Sequence, residues 1–377
     1  MIETRQSSYI PALDGIRALC ILLVFAGHQG FDKIIPGGVG VTIFFFLSGF
    51  LITNLLFAEH QKAGRISLRN FYIRRLLRLY PALLFMLGAF TVYLTCTGQV
   101  FTGSELLSAL FYFENYHRLY VDPEAAQFWI LWSLAIEEHF YLVFPFLFAA
   151  MVKMQKPLIL VTAVLILFSL LLRIYTSLAY DMSYFSEMST SYLTHNRFDS
   201  ILTGCLASML LQSGKKEALL RFASNYLVYV LALTVLLLSI VYRDAFFRQS
   251  FRYSLQGLSL MVLVPPILYA KKYGALNRLF SAPALVFVGK LSYSIYLFHW
   301  VSLAVFTDLS LLPATPLWIA GNIVLTLTLS LISYYVVEQR FLQLRYRFGS
   351  VHKSGAAPGS KRTVITLVNK EGQQASI

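Results

Sequence analysis

Charged residues are scarce in this sequence. Asp, Glu, Lys and Arg make up 13% of its 377 residues, and hydrophobic residues make up 57%, whereas a soluble domain usually has about 25% charged residues. No polar stretch is long enough to form a second domain. These shortages exclude an ordinary soluble enzyme and indicate a protein that crosses a membrane many times.

Cysteine is also rare, and acidic residues are outnumbered by basic ones. The three cysteines lie far apart in apolar sequence, without the spacing of a disulfide framework or a metal site. The net charge of +13 would suit a nucleic-acid partner, but the basic residues are distributed between hydrophobic segments. The first apolar run begins near Ile16 and lacks a cleavage pattern, so we expect it to remain as the first span.

Ten hydrophobic segments predict ten transmembrane helices. The polar segment 105–116 is too short to span and is predicted to be re-entrant or interfacial. The sixth predicted span is short. The spans lie at about 14–32, 38–58, 76–97, 128–151, 157–178, 198–213, 226–242, 251–270, 284–306 and 317–337.

The basic residues predict the orientation of these spans. With the N-terminus in the cytoplasm, seven of the 31 basic residues face outward, which leaves 24 inside. We therefore predict an all-α polytopic protein of the cell (inner or cytoplasmic) membrane, with both termini cytoplasmic. Residues 1–340 form the membrane domain, and residues 341–377 form a flexible basic tail.

The first span carries an ionisable group at each end. Arg17 and His28 are eleven residues apart in RALCILLVFAGH. On a helix, their side chains fall within roughly 20° of each other and about 16 Å apart along the axis. One helical face thus presents a cation near one membrane surface and a proton acceptor near the other.

The fourth span contains two adjacent carboxylates. In WSLAIEEHFY, Ser133, Glu137 and Tyr141 recur every four residues on one helical face, and Glu138 lies beside them. A carboxylate within the membrane costs about 3 kcal/mol on insertion scales. We therefore expect partners for these glutamates among the arginines of the third span, or a protonated state.

The third span begins with FYIRRLLRLYP, which holds Arg74, Arg75 and Arg78. Together with Arg17 on another helix, these guanidinium groups suit a polyanionic ligand, because guanidinium binds phosphate bidentately. Simple anchoring by positive charge at the cytoplasmic surface is the alternative, for Arg74 above all.

Three further segments place polar or small residues within or beside the spans. HNRFDSILTG brings Arg197 and Asp199 to the external mouth of the sixth span, and KLSYSIYLFHW brings His299 toward the external end of the ninth. An interfacial position in an aromatic belt is the alternative for His299. In GGVGVTIFFFLSGFLIT, Ser48 and Gly49 predict close helix packing.

Six segments in order resemble the acyltransferase-3 family of integral membrane O-acyltransferases, from about residue 9 to residue 340. These segments are LDGIRALCILLVFAGH, GGVGVTIFFFLSGFLIT, FYIRRLLRLYP, WSLAIEEHFYLVFP, RFDSILTG and LSYSIYLFHW. The resemblance implies an enzyme that moves acetyl or another short acyl group from a cytoplasmic thioester to a hydroxyl of a glycan. It implies functional roles for Arg17, His28, Arg75, Arg78, Ser133 and Glu137.

The donor implied by the resemblance is acyl-coenzyme A, with acetyl-coenzyme A first, and no metal is expected. Its phosphate-rich head would lie at the cytoplasmic face among Arg17, Arg75 and Arg78, with Arg74 beside them. Its thin arm, roughly 15–20 Å long, would pass between helices to His28, about three turns from the anchor.

The chemistry expected at the far end of the arm is general base catalysis. Neutral His28 would take the proton from the acceptor hydroxyl as it attacks the thioester, with a covalent acyl-histidine as the variant. Glu137 or Glu138 would orient the imidazole, and Ser133 would donate a hydrogen bond to the thioester oxygen. The candidate substrate contacts are Arg197, Asp199, His299 and Tyr141.

Two alternatives stay open. Ionisable groups within spans also mark transport paths, so a transporter or flippase of an acylated or lipid-linked glycan is the main rival. For the enzyme, a surface polysaccharide or lipid-linked glycan is the first acceptor, and a small hydrophobic molecule such as a macrolide is the second.

Overall fold

The computed structural model describes residues 9–31, 37–154, 157–309 and 315–348. Helices dominate this part of the chain, and no strand occurs within it, as predicted. The first nine helices are α1 (Pro11–Ala26), α2 (Gly37–Ala63), α3 (Leu68–Cys96), α4 (Gly103–Leu110), α5 (Glu114–Tyr120), α6 (Trp132–Lys153), α7 (Leu158–Ala179), α8 (Tyr184–Tyr192) and α9 (Thr194–Gln212). The others are α10 (Lys216–Ala223), α11 (Tyr226–Val241), α12 (Ala245–Gln249), α13 (Arg252–Tyr269), α14 (Gly274–Phe280), α15 (Pro283–Asp308), α16 (Pro316–Ile332) and α17 (Gln339–Arg345).

Seven segments of the described chain are single helical runs long and apolar enough to cross a membrane, and two bent helix pairs bring the number to nine. The pairs are α10 with α11, bent by 71°, and α13 with α14, bent by 86° by way of a short turn. The predicted sixth span is α9, which is long enough but too polar to qualify by composition. Its polar side chains are buried by neighbouring helices rather than exposed to lipid.

The two ends of the described chain lie on the same side of the bundle. Arg17 near the start of α1 and Arg345 at the end of α17 both lie within electrostatic range of Arg78. A chain that returns to its starting side crosses the membrane an even number of times. The described residues contain seven candidate spans, or up to nine if each bent pair is one span, so the predicted number of ten stays a prediction.

Two close helix crossings position the site. A Cβ at Gly49 of α2 would lie 1.9 Å from the carbonyl oxygen of Ile201 on α9, and a Cβ at Gly289 of α15 would lie 1.9 Å from the carbonyl oxygen of Asp14 on α1. Both positions therefore require glycine, and the predicted close packing at Gly49 is confirmed. The second crossing holds α1 directly against α15.

The predicted short polar segment 105–116 forms α4 and the beginning of α5, separated by a turn at Tyr112 with a positive φ of 59°. Neither helix is long enough to span. At the other end of the chain, α17 extends past residue 340, so residues 341–345 are helical, and the predicted domain boundary stays a prediction. The remainder of the predicted tail, from residue 349, lies outside the described residues.

Candidate active site

A narrow cavity of about 50 Å³ lies among α1, α2, α6 and α15. Its lining includes Arg17, Ser133 and Glu137, which the sequence predicted as site residues, and the predicted packing residue Ser48. From α15 it receives Ser292, Tyr293 and Tyr296. Four helices that are far apart in sequence thus bring polar groups to one enclosed space.

Arg75 is the partner of both glutamates. Its Nη2 lies 3.8 Å from Glu137 Oε2, and its Nε lies 3.3 Å from Glu138 Oε1. Its guanidinium carbon lies 3.4 Å above the ring of Tyr141, one helical turn further along α6. Glu137 also accepts a hydrogen bond of 2.8 Å from the Ser48 hydroxyl. The predicted pairing of these glutamates with an arginine of the third span is therefore confirmed.

The arginines form a cluster that the two glutamates balance only in part. Arg78 lies within electrostatic range of Arg17, Arg75 and Arg345. Within the described chain, neither Arg17 nor Arg78 has a carboxylate within 4 Å. Positive charge in excess at one end of a bundle is an anion-binding arrangement.

Arg74 is committed elsewhere. Its Nη2 forms an ion pair of 2.8 Å with Glu59 at the end of α2, and its Nη1 donates to the Phe348 carbonyl oxygen at 2.8 Å. Arg74 therefore ties α3 to α2 and to the end of the described chain. Its role in donor binding stays a prediction, and these contacts favour the anchoring alternative.

Ser133 and Tyr296 form a hydrogen-bonded pair beside the cavity. Their oxygens are 2.6 Å apart, and the Tyr296 hydroxyl also lies 2.8 Å from the Ile130 carbonyl oxygen. The carbonyl can only accept, so Tyr296 donates its single proton there and Ser133 donates to Tyr296. The Ser133 proton is then committed within the protein, whereas the buried Ser292 hydroxyl, at the same cavity, has no hydrogen-bond partner.

His28 lies in a second cluster, next to the cavity. Its Nδ1 is 3.0 Å from the Val24 carbonyl oxygen and 3.4 Å from His299 Nε2, and Trp300 meets it edge-on at 6.1 Å between ring centroids. The cluster is continuous with the cavity through Tyr296, whose ring centroid lies 5.5 Å from that of His299.

The helix changes its winding at His28. The α-helix ends at Ala26, and a π-helical turn, Gly27–Phe31, follows directly, with φ of +89° at Gly30. Such wide turns are often found at functional sites. Within this turn the side-chain nitrogen and oxygen of Gln29 are buried, and neither has a hydrogen-bond partner among the described residues.

The predicted contact between His28 and a glutamate does not form. Among the described residues, the hydrogen-bond partners of His28 are Val24 and His299, whereas Glu137 and Glu138 turn to Arg75 and Ser48. The physical reason is charge. The guanidinium of Arg75 compensates both carboxylates, and it does so better than the imidazole of His28 would.

Arg197 and Asp199 are buried in the bundle. Asp199 pairs bidentately with Arg173 of α7, at 2.7 Å and 2.9 Å, and neither side chain is exposed. Arg197 lies 3.5 Å above the ring of Tyr253 and donates to Thr42 at 3.2 Å. These contacts connect helices, and a role of either residue in substrate binding stays a prediction.

Four side chains of the site were not predicted as site residues, namely Ser292, Tyr296, Ser48 and Arg345, whereas His299 was predicted as a substrate contact. Ser292 and Tyr296 are four residues apart on α15, and His299 is three residues further, so one helical face presents all three. That periodicity was the available signal. Ser48 gave none beyond packing, and Arg345 lay in a segment predicted to be a tail. Among the described residues, no cluster of His, Cys, Asp or Glu side chains is suited to a metal ion.

A family model described as an acyltransferase domain matches residues 10–335. The chain belongs to this acyltransferase-3 family of helical membrane proteins, as its motifs suggested.

Its curated relatives are longer proteins. The peptidoglycan O-acetyltransferase OatA of Listeria monocytogenes is 30% identical, over 84% of this chain and 53% of the relative. The putative peptidoglycan O-acetyltransferase YrhL of Bacillus subtilis is 28% identical, over 89% and 55%. A putative O-acetyltransferase of Staphylococcus aureus strain COL is 29% identical, over 89% and 58%. The chain thus spans little more than half the length of these relatives. No solved structure matches it.

Proposed function

We propose that this protein is a membrane O-acyltransferase that moves an acetyl group from cytoplasmic acetyl-coenzyme A to a hydroxyl of a glycan on the external side of the cell membrane. The observation that carries the proposal is the single cavity that joins Arg17, Ser133 and Glu137. Arg78 lies near its cationic end, and the His28–His299 cluster lies beyond Tyr296.

The cationic cluster suits the phosphates of coenzyme A. Arg17 and Arg78 have no carboxylate within 4 Å in the described chain, so phosphate binding would not have to break an existing ion pair. Arg75 is engaged by both glutamates and would contribute mainly by holding Glu137 at the cavity. A ligand with several negative charges and a slender uncharged arm matches a cationic end with a narrow cavity behind it.

The reaction that we assign to the histidine end is direct acyl transfer. His28 removes the proton from the acceptor hydroxyl while that oxygen forms a bond to the thioester carbonyl carbon. The carbon–sulfur bond then breaks, and the coenzyme A thiolate takes the proton back from the imidazolium. The products are the O-acetylated acceptor and free coenzyme A, and His28 returns to its neutral form.

The acceptor that we propose to test first is a peptidoglycan-type glycan, because two of the relatives are named for that substrate. Nearly half of the length of each of these relatives lies outside the matched region. The acceptor of this chain therefore has to be tested separately from its donor. The position of the donor on the cytoplasmic side rests on the distribution of basic residues.

The test uses the full chain in lipid nanodiscs. We expect coenzyme A and acetyl-coenzyme A to raise the unfolding temperature, and radiolabelled acetyl groups to appear on an added peptidoglycan fragment. The His28→Gln variant should retain the stabilisation and lose the transfer. If neither coenzyme A nor acetyl-coenzyme A stabilises the protein, the transporter alternative is favoured and the proposal is rejected.

A further inference from the structure

The two histidines next to the cavity constrain each other's protonation. His299 is completely buried, and its Nδ1 lies 2.6 Å from the Tyr296 carbonyl oxygen and 3.2 Å from that of Ile295. Carbonyl oxygens only accept hydrogen bonds, so this Nδ1 carries a hydrogen. In the neutral ring, Nε2 of His299 is therefore an acceptor without a proton.

The same reasoning fixes the proton on His28. Its Nδ1 lies 3.0 Å from the Val24 carbonyl oxygen and 3.4 Å from Nε2 of His299. Both neighbours are acceptors, so Nδ1 of His28 carries the hydrogen and shares it between them. In the neutral ring, Nε2 of His28 then holds the free lone pair.

We infer that His299 is the positioning residue for His28: it accepts the Nδ1 hydrogen and so leaves Nε2 of His28 as the basic nitrogen. This inference rests on the proposed function for its catalytic meaning, and on geometry alone for the assignment of the protons. It gives His299 the role that the sequence assigned to Glu137 or Glu138.

A neutral partner suits this place better than a carboxylate would. His299 is completely buried in a membrane protein, where an unpaired charge is costly, so its ring is neutral between turnovers. When His28 takes a proton, its Nδ1–H bond becomes more polar, and the lone pair of His299 stabilises the cation through a charge-assisted hydrogen bond. This hydrogen bond therefore becomes stronger when His28 becomes positively charged, which is the point at which acyl transfer requires the stabilisation.

The surrounding structure fixes the positions of His28 and His299 relative to each other. Gly289 allows α15 to approach the backbone of α1 at Asp14, and Trp300 packs against His28 while its Nε1 donates to the Gln127 carbonyl oxygen at 2.7 Å. The π-helical turn that follows Ala26 carries His28. His28 is thus held by α15 from one side and by its own helix from the other.

The first experiment is nitrogen-15 NMR of histidine-labelled full-length protein in nanodiscs, with the His28 signals assigned from their loss in His28→Gln. We expect Nδ1 of His28 to be protonated and Nε2 to be unprotonated at neutral pH. A His28 ring that carries its hydrogen on Nε2 would overturn the inference, whether or not the protein transfers acetyl groups.

The second experiment separates positioning from folding through kinetics. His299→Phe removes the side-chain acceptor and leaves only the Val24 carbonyl oxygen for Nδ1–H of His28, and we expect kcat to fall about 100-fold with the KM for acetyl-coenzyme A unchanged. His299→Gln supplies an amide oxygen as acceptor and should recover at least a tenth of the lost rate. The matched control is Ser302→Ala, one turn further along α15, where the lost hydroxyl contacts Asn322.

The outcomes distinguish this inference from the proposed function. If the wild-type protein shows the expected protonation but transfers no acetyl group from acetyl-coenzyme A, the proposed function fails and the proton assignment stands. Two results with an active wild-type protein would reject the positioning role. The first is a His299→Phe variant that keeps the wild-type kcat. The second is a loss of kcat in both His299→Phe and His299→Gln that only matches their loss of folded protein.

Discussion

Nδ1 of His28 and Nε2 of His299 lie 3.4 Å apart, although the residues are 271 positions apart in sequence. The contact connects the first long helix to the fifteenth, across a crossing that only glycine at position 289 allows. The same two helices also contribute to the lining of the cavity that holds Arg17 and Glu137. The packing of α1 against α15 therefore positions both the arginine end and the histidine end of the site.

The first prediction concerns donor binding by the arginine cluster. Arg17→Gln and Arg78→Gln should each weaken the binding of coenzyme A about 10- to 100-fold, because each removes a cation that no carboxylate of the described residues compensates within 4 Å. Arg74→Gln is the matched control, since Arg74 is already engaged by Glu59. Isothermal titration in nanodiscs measures the affinities.

A pair of ligand fragments sharpens this test. Adenosine 3′,5′-bisphosphate carries phosphate groups, whereas pantetheine lacks them. The Arg17 and Arg78 variants should lose affinity for the first fragment and keep their affinity for the second. Equal losses for both fragments, or an equal loss in Arg74→Gln, would contradict the assignment of the phosphate anchor.

The second prediction concerns Arg75, which compensates two carboxylates. Arg75→Gln should destabilise the protein by about 3–5 kcal/mol, because removal of one partner leaves buried charge unpaired. The double variant Arg75→Gln with Glu138→Gln should recover part of this loss. Thermal unfolding in nanodiscs measures the effect, and a stable Arg75→Gln protein that has merely lost donor affinity would make Arg75 an anchor like Arg17.

The third prediction separates the two serines at the cavity. Ser133 donates to Tyr296, so Ser133→Ala should lower the free energy of unfolding by about 1 kcal/mol. The Ser292 hydroxyl has no hydrogen-bond partner in the part of the chain that the structure describes, so Ser292→Ala should leave the stability unchanged or raise it, and should lower acyl transfer if this hydroxyl contacts the donor. A Ser133→Ala protein of normal stability and reduced kcat would instead support the hydrogen bond to the thioester that the sequence suggested.

The fourth prediction concerns the ion pair between Arg173 and Asp199. Asp199→Asn should destabilise the protein by about 3–5 kcal/mol, because the guanidinium of Arg173 is fully buried and loses its counter-charge. The double variant Arg173→Met with Asp199→Leu should recover stability, and it should also recover acyl transfer, because the pair connects helices. Recovered stability without recovered transfer would restore Asp199 as a substrate contact.

The sequence predicted the helical class and several residues that line the cavity, because long apolar segments and charged residues inside them are both unusual. The composition was enough to predict the helical class, and the cost of Glu137 and Glu138 within a membrane predicted a cationic partner. The spacing of Arg17 and His28 correctly placed them on one long helical segment, Pro11–Phe31.

The pairing within the site could not be predicted, because it depends on how helices approach each other. Nothing local distinguishes an imidazole at position 299 that faces lipid headgroups from one that faces His28. The approach of α15 to α1 at Gly289 decides this. The burial of Arg173 likewise follows from the position of Asp199 on a different helix.

The fifth prediction concerns pH and Glu114, a buried residue of the short helix α5, outside the spanning helices. Burial raises the pKa of this carboxyl to about 7, although the Ser108 hydroxyl donates a hydrogen bond to it. A carboxyl with a higher pKa in the folded state than its ordinary value of 4.5 stabilises the fold while it is protonated. The stabilisation is complete below about pH 4.5 and is lost as the pH rises through about 7.

The unfolding temperature of the wild-type protein should therefore fall between about pH 5 and pH 8. Glu114→Gln keeps a neutral side chain of the same shape, so its unfolding temperature should change less over this range and exceed the wild-type value at the alkaline end. Glu217→Gln, at an exposed position on α10, is the control and should follow the wild-type curve. Parallel curves for Glu114→Gln and the wild type would show that the folded protein does not retain the Glu114 proton near neutral pH.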